Sequence, residues 1–592
     1  MKIVQYGKSA NLVFKFPMNT ENYQKACMMP GFKKWDGYDL IFRPVMANIK
    51  YILGNWPAAV WEGPAQEHVD KLRALEADAG RVIQMKTGPL PPLKKDGYQY
   101  KRLPREHQRR ALLLSWDKPA FALLMEQRTG KTKVIIDNCA HLFRRGKLHT
   151  LIIITLNGVH RNWIDNEIPE DLPDWCPREC WFIRGAMTKA SEQQFEKTLA
   201  LKEGLRVFSF NIEGFARDGK ARDMFERALG DGNGVMVAID ESSDCIKTYD
   251  AKRTKYLLKF ATKAQYRRIL TGTQSPEGKP DELFPQYKFL DEDILGYDTI
   301  TPFRARYCNI VTFDVGEGDS SREVTTIKPG CKNVDELRAK IEGVSFRVRR
   351  SDCMDLPPKV YKRWPVELSK DQARIYKEMK EEFTTELEGR TMTAAMAMTR
   401  ALRLQQILCG WFPMDEPELV AGETWRKIVP IDKLPGPRMQ ALQDILRTHE
   451  DKCIIWARFR PDLEVIQKML GTAAVSYHGG INSEMKAKNY RRFQQDPSVH
   501  YFIANQSSAG RGLTLTKATM EVYFSNSFRL VDRLQSEDRP EGDEKKRDST
   551  LVIDIEASGT MDSKIIRALR NKKDMADLIN GDPKSLFMEV EK

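Results

Sequence analysis

Short apolar runs recur along the chain, separated by amphipathic stretches. Between about residues 100 and 290 they are "TLIIITL", "LRVFSF", "GVMVAID" and "YRRILTG". Runs this short, continuously apolar and spaced by helical patterns read as strands of a parallel sheet covered on both faces. A second alternation starts near residue 430, with "KCIIWARF", "AAVSYHG", "HYFIANQ", "MEVYFSN" and "STLVIDI". It predicts a second sheet of the same kind. Between the two, "LSKDQARIYKEMKEEFTTELEG" and "TAAMAMTRALRLQQILCG" carry helical spacing, and their Met and Leu positions read as core packing. Ahead of both, an alternating start, a helix-like "TENYQKACMM", a turn at Pro30-Gly31 and the strand-like "YDLIFRP" form a small α+β unit. The Pro-, Gly- and base-rich "TGPLPPLKKDGYQYKRLPRE" reads as a linker. The fold class is therefore α/β: two tandem doubly wound parallel-sheet domains, a helical insertion and a small N-terminal α+β domain. The expected divisions are 1–95, 96–290, 291–430 and 431–592. No solenoid repeat is visible.

Composition sharpens the partner. The 592 residues carry a formal net charge of +13 and 41% hydrophobic residues, enough for several ordinary cores. A basic balance of this size points to a polyanion, most often nucleic acid, although charge alone also fits a merely soluble basic protein. No apolar stretch reaches the length of a membrane span, and "MKIVQYGKSANLVFKF" lacks the pattern of a secretory signal. A cytosolic, monomeric protein with no membrane partner is expected. Of the 10 cysteines, Cys176 and Cys180 lie close together in "CPREC" without a second pair or a His cluster, so the cysteines read as reduced thiols.

Candidate chemistry begins at "LLMEQRTGKTKVIID". A phosphate-binding loop needs a strand, a tight turn whose N–H groups face the anion, a Lys, a Ser or Thr for Mg²⁺, and a helix N-terminus. "AFALLME" supplies the strand, Arg128, Thr129 and Gly130 the turn, Lys131 and Thr132 the charged and hydroxyl groups, and "KVIIDNCAHLF" the helix. Met125 stands where such a loop usually has its leading glycine, so the match alone is weak. A second feature strengthens it. "VMVAIDESSD" ends an apolar strand in Asp240-Glu241, two adjacent carboxylates suited to hold Mg²⁺ (Asp240) and to activate water (Glu241).

With these in place, residues 100 to 580 resemble the SNF2-like members of helicase superfamily 2. "LPREHQRRALLL" looks like the family's first motif, which would put Gln108 on adenine. "LIIITLNGVHRNWIDNEI", "FSFNIEGF" (Asn211 and Glu213 matching) and "RRILTGTQSPEGKPDELFPQYKFL" are similar to the following motifs, the last linking hydrolysis to DNA movement through Thr271, Gly272 and Thr273. In the second half, "FRVRRSDCMDLPPK", "KCIIWARFRPDLEVI", "SYHGGINSEMKAKNYRRFQ", "NQSSAGRGLTLTKA" and "RLQSEDRPEGDEKK" follow in the family's order. The resemblance implies two RecA-like domains binding ATP and Mg²⁺, with Gly512 and Gln535 at the nucleotide and Arg539 as the arginine finger. Two positions depart from the pattern. Arg128 stands where the family usually has glycine, and Gly542 where it has a second arginine, so Arg539 serves alone, or Arg547 reaches in, or turnover is slow.

The N-terminal unit resembles the HARP-type domain of annealing helicases in its helix, its Pro30-Gly31, the basic pair before Trp35 and the strand ending in Arg43-Pro44. That implies DNA contacts at Lys33, Lys34, Trp35 and Arg43, against the plainer reading of Trp35 as a core anchor. In the motor, Thr155, Asn157, Thr273, Ser507 and Ser508 are candidate DNA contacts, with turn capping as the plainer role of each. His160 and His478 read as structural, and His107 as a neighbour of Gln108. Together these imply a DNA-dependent ATPase acting on duplex, branched or forked DNA in replication, recombination or repair, in a bacterial or virus-infected bacterial cell. A nucleotide-gated DNA clamp and a strand-separating helicase stay open as alternatives; an RNA-dependent ATPase fits the SNF2-like motif forms less well.

Overall fold

The computed structural model describes residues 1–571 except 7–10, 30–32, 45, 91–97, 158, 184–186, 261–262, 276–277, 316–321, 354–358, 389–393, 421–422, 510–512, 514 and 541–548. The chain divides into two compact units, Met1–Met354 and Asp355–Lys592.

The first unit begins with a five-stranded sheet built from β1 (Lys2–Gln5), β2 (Leu12–Lys15), β3 (Lys33–Asp36), β4 (Asp39–Phe42) and β5 (Val60–Trp61), in the order β3-β4-β2-β1-β5. Helices Thr20–Cys27, Met46–Asn55 and Pro64–Thr87 complete it, and Ile3, Phe14, Leu40, Phe42, Ile52 and Trp56 form its core. The α+β expectation holds in kind. This layer is tied to the rest of the unit by Lys71–Asp293 at 2.5 Å and Arg43–Asp298 at 3.2 Å.

The larger sheet has seven strands: β6 (Ala120–Met125), β7 (Thr150–Thr155), β8 (Arg178–Phe182), β9 (Leu205–Asn211), β10 (Val235–Asp240), β11 (Tyr266–Leu270) and, past the hairpin β12 (Cys308–Val315) and β13 (Arg322–Cys331), β14 (Ser345–Val348). Their order is β14-β6-β11-β10-β7-β9-β8, and all pairs are parallel. The continuous apolar runs have a plain cause. Along β7, Ile152 and Ile154 pack on one face with Phe208 and Phe210, while Leu151 and Ile153 pack on the other with Val207 and Met236. Both faces are buried, so alternation disappears from the sequence.

The second unit repeats the plan with β15 (Lys359–Pro365), then the hairpin β16 (Trp411–Val420) and β17 (Glu423–Pro430), then β18 (Cys453–Trp456), β19 (Ala474–Tyr477), β20 (Tyr501–Ala504), β21 (Met520–Tyr523) and β22 (Thr550–Glu556). Its parallel order is β15-β22-β21-β18-β20-β19. Cys453 and Ile455 serve one face; Ile454 and Trp456 serve the other.

The stretch 291–430 departs from its expectation as a linking, helical region. It does hold the helices Lys370–Glu388 and Ala394–Leu408, but it is cut by the unit boundary. β14 pairs with β6 in the first unit and β15 with β22 in the second. It also contains two antiparallel hairpins, β12–β13 and β16–β17. Pro413 and Pro417 inside β16 hide it from a strand search, because proline withholds a ladder donor. Among the described residues, no helix is long and apolar enough to cross a membrane.

Candidate nucleotide site

The strand β6 delivers the chain into the turn Glu126–Gly130 and then into the helix Lys131–Arg144. Gly130 caps that helix in the left-handed region, with φ 82°. A Cβ there would be strained by that φ and would lie 2.1 Å from Gln108 Nε2, pushing this side chain off the turn. Arg128 also has positive φ, 65°, a conformation that costs a side-chain-bearing residue on the order of 1–3 kcal/mol. This is the physical reason for a glycine at that place in the family.

Gln108 lies against this turn. Its Nε2 donates to Thr129 O at 3.1 Å, while its Oε1 accepts from Arg105 N at 2.9 Å. His107 Nε2 reaches the same Thr129 carbonyl at 2.8 Å, so this histidine braces the loop as well as flanking Gln108. Burial lowers its pKa. Lys131 is 8% exposed and donates to Met125 O at 2.8 Å and Glu126 O at 3.3 Å. A buried ammonium bonded to neutral carbonyls is a cation ready to exchange them for phosphate oxygens. Thr132, half-buried, begins the helix beside it.

Across the sheet, two strands along, β10 ends at Asp240. Trp163 Nε1 donates to Asp240 Oδ2 at 2.9 Å and Glu241 N donates to Oδ1 at 3.0 Å. Burial pushes the Asp240 carboxyl up, opposed first by the nearby Lys131 and then by these two donors. A carboxylate and a hydroxyl are hard oxygen donors, the set that suits Mg²⁺ over softer metals. A desolvated carboxylate is also a group that a divalent cation would stabilise. The donor set fits. Glu241 has φ 50° and ψ 51°, which turns the chain sharply after β10.

The carboxylate pair is linked onward by hydroxyls and amides. Ser243 Oγ and Thr271 Oγ1 lie 2.9 Å apart, and Thr271 Oγ1 donates to Thr273 O at 2.8 Å. Ser242 Oγ donates to Gln286 Oε1, and Gln286 Nε2 donates to Gln274 O, both at 2.8 Å. Gly272 lets the Thr271–Thr273 turn approach the phosphate loop: a Cβ there would sit 3.3 Å from Gln127 N. The first unit thus brings together Gln108, Arg128, Thr129, Gly130, Lys131, Thr132, Asp240, Glu241 and Thr273 as one connected neighbourhood. Trp163, Ser243 and Gln286 belong to it too. Their spacing in the sequence carries no signal, apart from the Asn-Trp in "RNWIDNEI".

In the second unit, Gln535 is buried in the helix Leu530–Glu537. Arg539 is buried as well: Nε donates to Gln535 O and Nη1 to Leu513 O, both at 2.7 Å. Its guanidinium is bonded within its own unit. Arg533, which the sequence motifs did not single out, is buried over the Tyr523 ring at 3.5 Å and donates to Asp554 Oδ1 at 2.5 Å. Gly512, Gly542 and Arg547 lie outside the described residues.

The candidate DNA contacts separate. Asn157, Thr273 and Ser507 are exposed, and Ser508 is half-buried. Ser507 N donates to Asn505 Oδ1 at 3.1 Å and Ser508 Oγ to Asn505 O at 3.2 Å, so both cap the turn they stand in. Thr155 is a correction: as the last residue of a strand covered on both faces it is 0% exposed, and it presents nothing to DNA. Trp35 is half-buried: it stacks on the exposed Tyr23 at 5.5 Å and meets Phe16 edge-on at 6.1 Å, the packing of the plainer reading. Lys34 is exposed, Arg43 is paired with Asp298, and the Lys33 side chain and Pro30-Gly31 lie outside the described residues.

Known proteins are similar to this chain in sequence. The helicase conserved C-terminal domain matches residues 437–540. The chain is 24% identical over 448 residues to the DNA annealing helicase and endonuclease ZRANB3 of Bos taurus, covering 74% of this chain and 37% of that protein. It is 24% identical over 437 residues to the SWI/SNF-related matrix-associated actin-dependent regulator of chromatin subfamily A-like protein 1 homolog of Caenorhabditis elegans, covering 70% and 51%. The chain thus spans little more than a third of the first relative and about half of the second. The Sulfolobus solfataricus SWI2/SNF2 ATPase core in complex with dsDNA aligns at 20% identity and TM-score 0.36, over 84% of this chain and 97% of that one. The SNF2-related domain matches residues 99–410, more than half of the chain and every part of the site in the first unit, and the chain therefore belongs to the SNF2-related family.

Proposed function

We propose that this chain is a DNA-dependent ATPase of SNF2 type that turns hydrolysis into movement along, or remodelling of, duplex DNA. The observation that carries the reading is the buried Lys131 near the buried Asp240, the first past the C-terminal end of β6 and the second at that of β10 in one parallel sheet. The turn's N–H groups and the N-terminus of Lys131–Arg144 receive the triphosphate. Lys131 leaves its carbonyl partners for the β- and γ-phosphates, Thr132 and Asp240 hold the metal, and Glu241 takes a proton from the attacking water. Mg²⁺, when bound, neutralises charge on the β- and γ-oxygens. Ser243 and Thr271 then pass the state of the carboxylate pair to the exposed Thr273 turn.

The finer part of the proposal is a preference for branched or forked DNA in replication or repair; a bacterial or virus-infected bacterial cell is proposed with it. The net charge of +13, the exposed Lys34 and the similarity to the annealing helicase ZRANB3 support the DNA preference. Steady-state ATP hydrolysis at fixed salt, with no nucleic acid, single strand, duplex and forked duplex, tests it against Glu241→Gln as the blank. Stimulation by duplex and more by forks is the expected result; the blank's rate on every DNA overturns it. One observation favours a second reading, a nucleotide-gated DNA clamp. Arg539 is bonded to Gln535 and Leu513 of its own unit, and the family's second arginine is Gly542 here. An arginine finger is worth roughly three to five decades of rate, so slow turnover with nucleotide-dependent DNA affinity identifies the clamp.

A further inference from the structure

Trp163 is among the largest fully buried side chains, 1% exposed, yet its indole N–H is directed at Asp240 Oδ2. The other oxygen of that carboxylate is held by Glu241 N. Two donors on two oxygens fix the rotation of the carboxylate plane, and the indole is the donor that comes from a distant part of the chain. Trp163 also opens a π-helical turn, Trp163–Glu167, a rare backbone form that recurs at functional sites. The turn has bonds of its own: Asn162 Nδ2 donates to Glu167 Oε1 at 3.0 Å and Asn166 Nδ2 to Asn162 Oδ1 at 2.7 Å. It continues from the helix Val159–Asn162, which follows the exposed Asn157 two residues past the end of β7.

We propose that Trp163 is the positioning residue for the metal-binding carboxylate, and that it carries DNA occupancy of the Asn157 turn to the nucleotide site. The assignment rests on the ATPase reading above and deepens it. Donors behind a ligand carboxylate orient it and tune its basicity, and their loss costs about 10- to 100-fold in metal affinity or activity. Here the donor stands on the segment that follows the exposed Asn157, a candidate DNA contact. Nucleic acid seated on the Asn157 turn shifts the π-turn, and one hydrogen bond transmits that shift to Asp240. A donor that merely satisfied itself inside a core has no reason to sit in a π-turn between an exposed loop and the metal ligand.

The test is Trp163→Phe, which keeps an aromatic ring and removes the N–H. Fluorescent ADP binding is measured with and without Mg²⁺, and ATP hydrolysis with and without duplex DNA. The expected result is an unchanged affinity without Mg²⁺, a loss of about tenfold or more in the enhancement that Mg²⁺ gives, a lower ratio of DNA-stimulated to unstimulated turnover, and partial rescue at high Mg²⁺. A purely structural role lowers the melting temperature and leaves both ratios at the parent's values, which overturns the proposal. If Trp163→Phe does not fold, Asn162→Ala, at the half-buried residue that precedes the π-turn and bonds Glu167 at its far end, decides by the same two ratios. A parent chain that binds no Mg²⁺-nucleotide overturns the ATPase reading and this assignment with it. A parent that binds, beside variants with parental ratios, overturns this assignment alone.

Discussion

At the scale of single residues, Lys131 and Asp462 show how burial sets chemistry. Lys131→Ala is expected to lower kcat for ATP by about a hundred- to a thousandfold, the usual cost of removing a donor aimed at developing charge. DNA affinity in the absence of nucleotide stays near the parent's, which a binding titration checks. Asp462, in the second unit, is fully buried and accepts from Trp411 Nε1 at 2.6 Å. Burial raises its pKa from 3.8 to about 7. A group raised on folding contributes stability that is fully present below its unfolded pKa and lost as pH rises through the folded one. Asp462→Asn is therefore expected to flatten the fall in thermal midpoint between about pH 4 and pH 7. A slope equal to the parent's would show that the Asp462 carboxyl ionises in the folded protein over the same pH range as in the unfolded chain. Asp462 does not stand out in the sequence, and Trp163 does so only through the Asn-Trp of "RNWIDNEI", since neither burial nor a distant partner is written in the residues beside them.

At the scale of elements, strand ends and the turns after them do the chemical work. β6, β10 and β11 each end at a functional turn because parallel strands bring their C-terminal ends to one edge. The periodicity of apolar runs made those strands legible, and with them the phosphate loop and the Asp240-Glu241 pair. The hairpin β16–β17 was not legible, because its prolines contradict the strand pattern. The π-turn was not legible either, since it interrupts a helical period by a single extra residue. Ser243→Ala removes the bond to Thr271 between two of these turns. The first unit is expected to lose about 1 kcal/mol of stability and part of its DNA-stimulated turnover. Calorimetry and the ratio of stimulated to basal hydrolysis measure the two effects separately, and a loss of stability with an intact ratio would show that the bond is only structural.

At the scale of the whole molecule, net charge names the class of partner but not the contacts. Phosphate contacts made by lysines contribute about 0.9 each to the slope of log affinity against log salt on duplex DNA. Lys34→Ala is expected to reduce that slope by about 1. Arg43→Ala leaves it unchanged, because Arg43 is engaged with Asp298; an equal reduction from both would mean that the pair opens on DNA. The two differ only in what the fold places beside them. By itself the sequence determined the two parallel sheets, the loop ending in Gly130-Lys131-Thr132 and the carboxylates at the end of β10. These are local properties, written in side-chain period and in the order of residues along a turn. Tertiary structure alone decided that Thr155 is sealed inside the sheet, that Arg539 turns into its own unit, and that Trp163 reaches Asp240 across 77 residues of chain. Such contacts follow from strand order and packing, which bring together segments whose separation in sequence carries no record of their meeting.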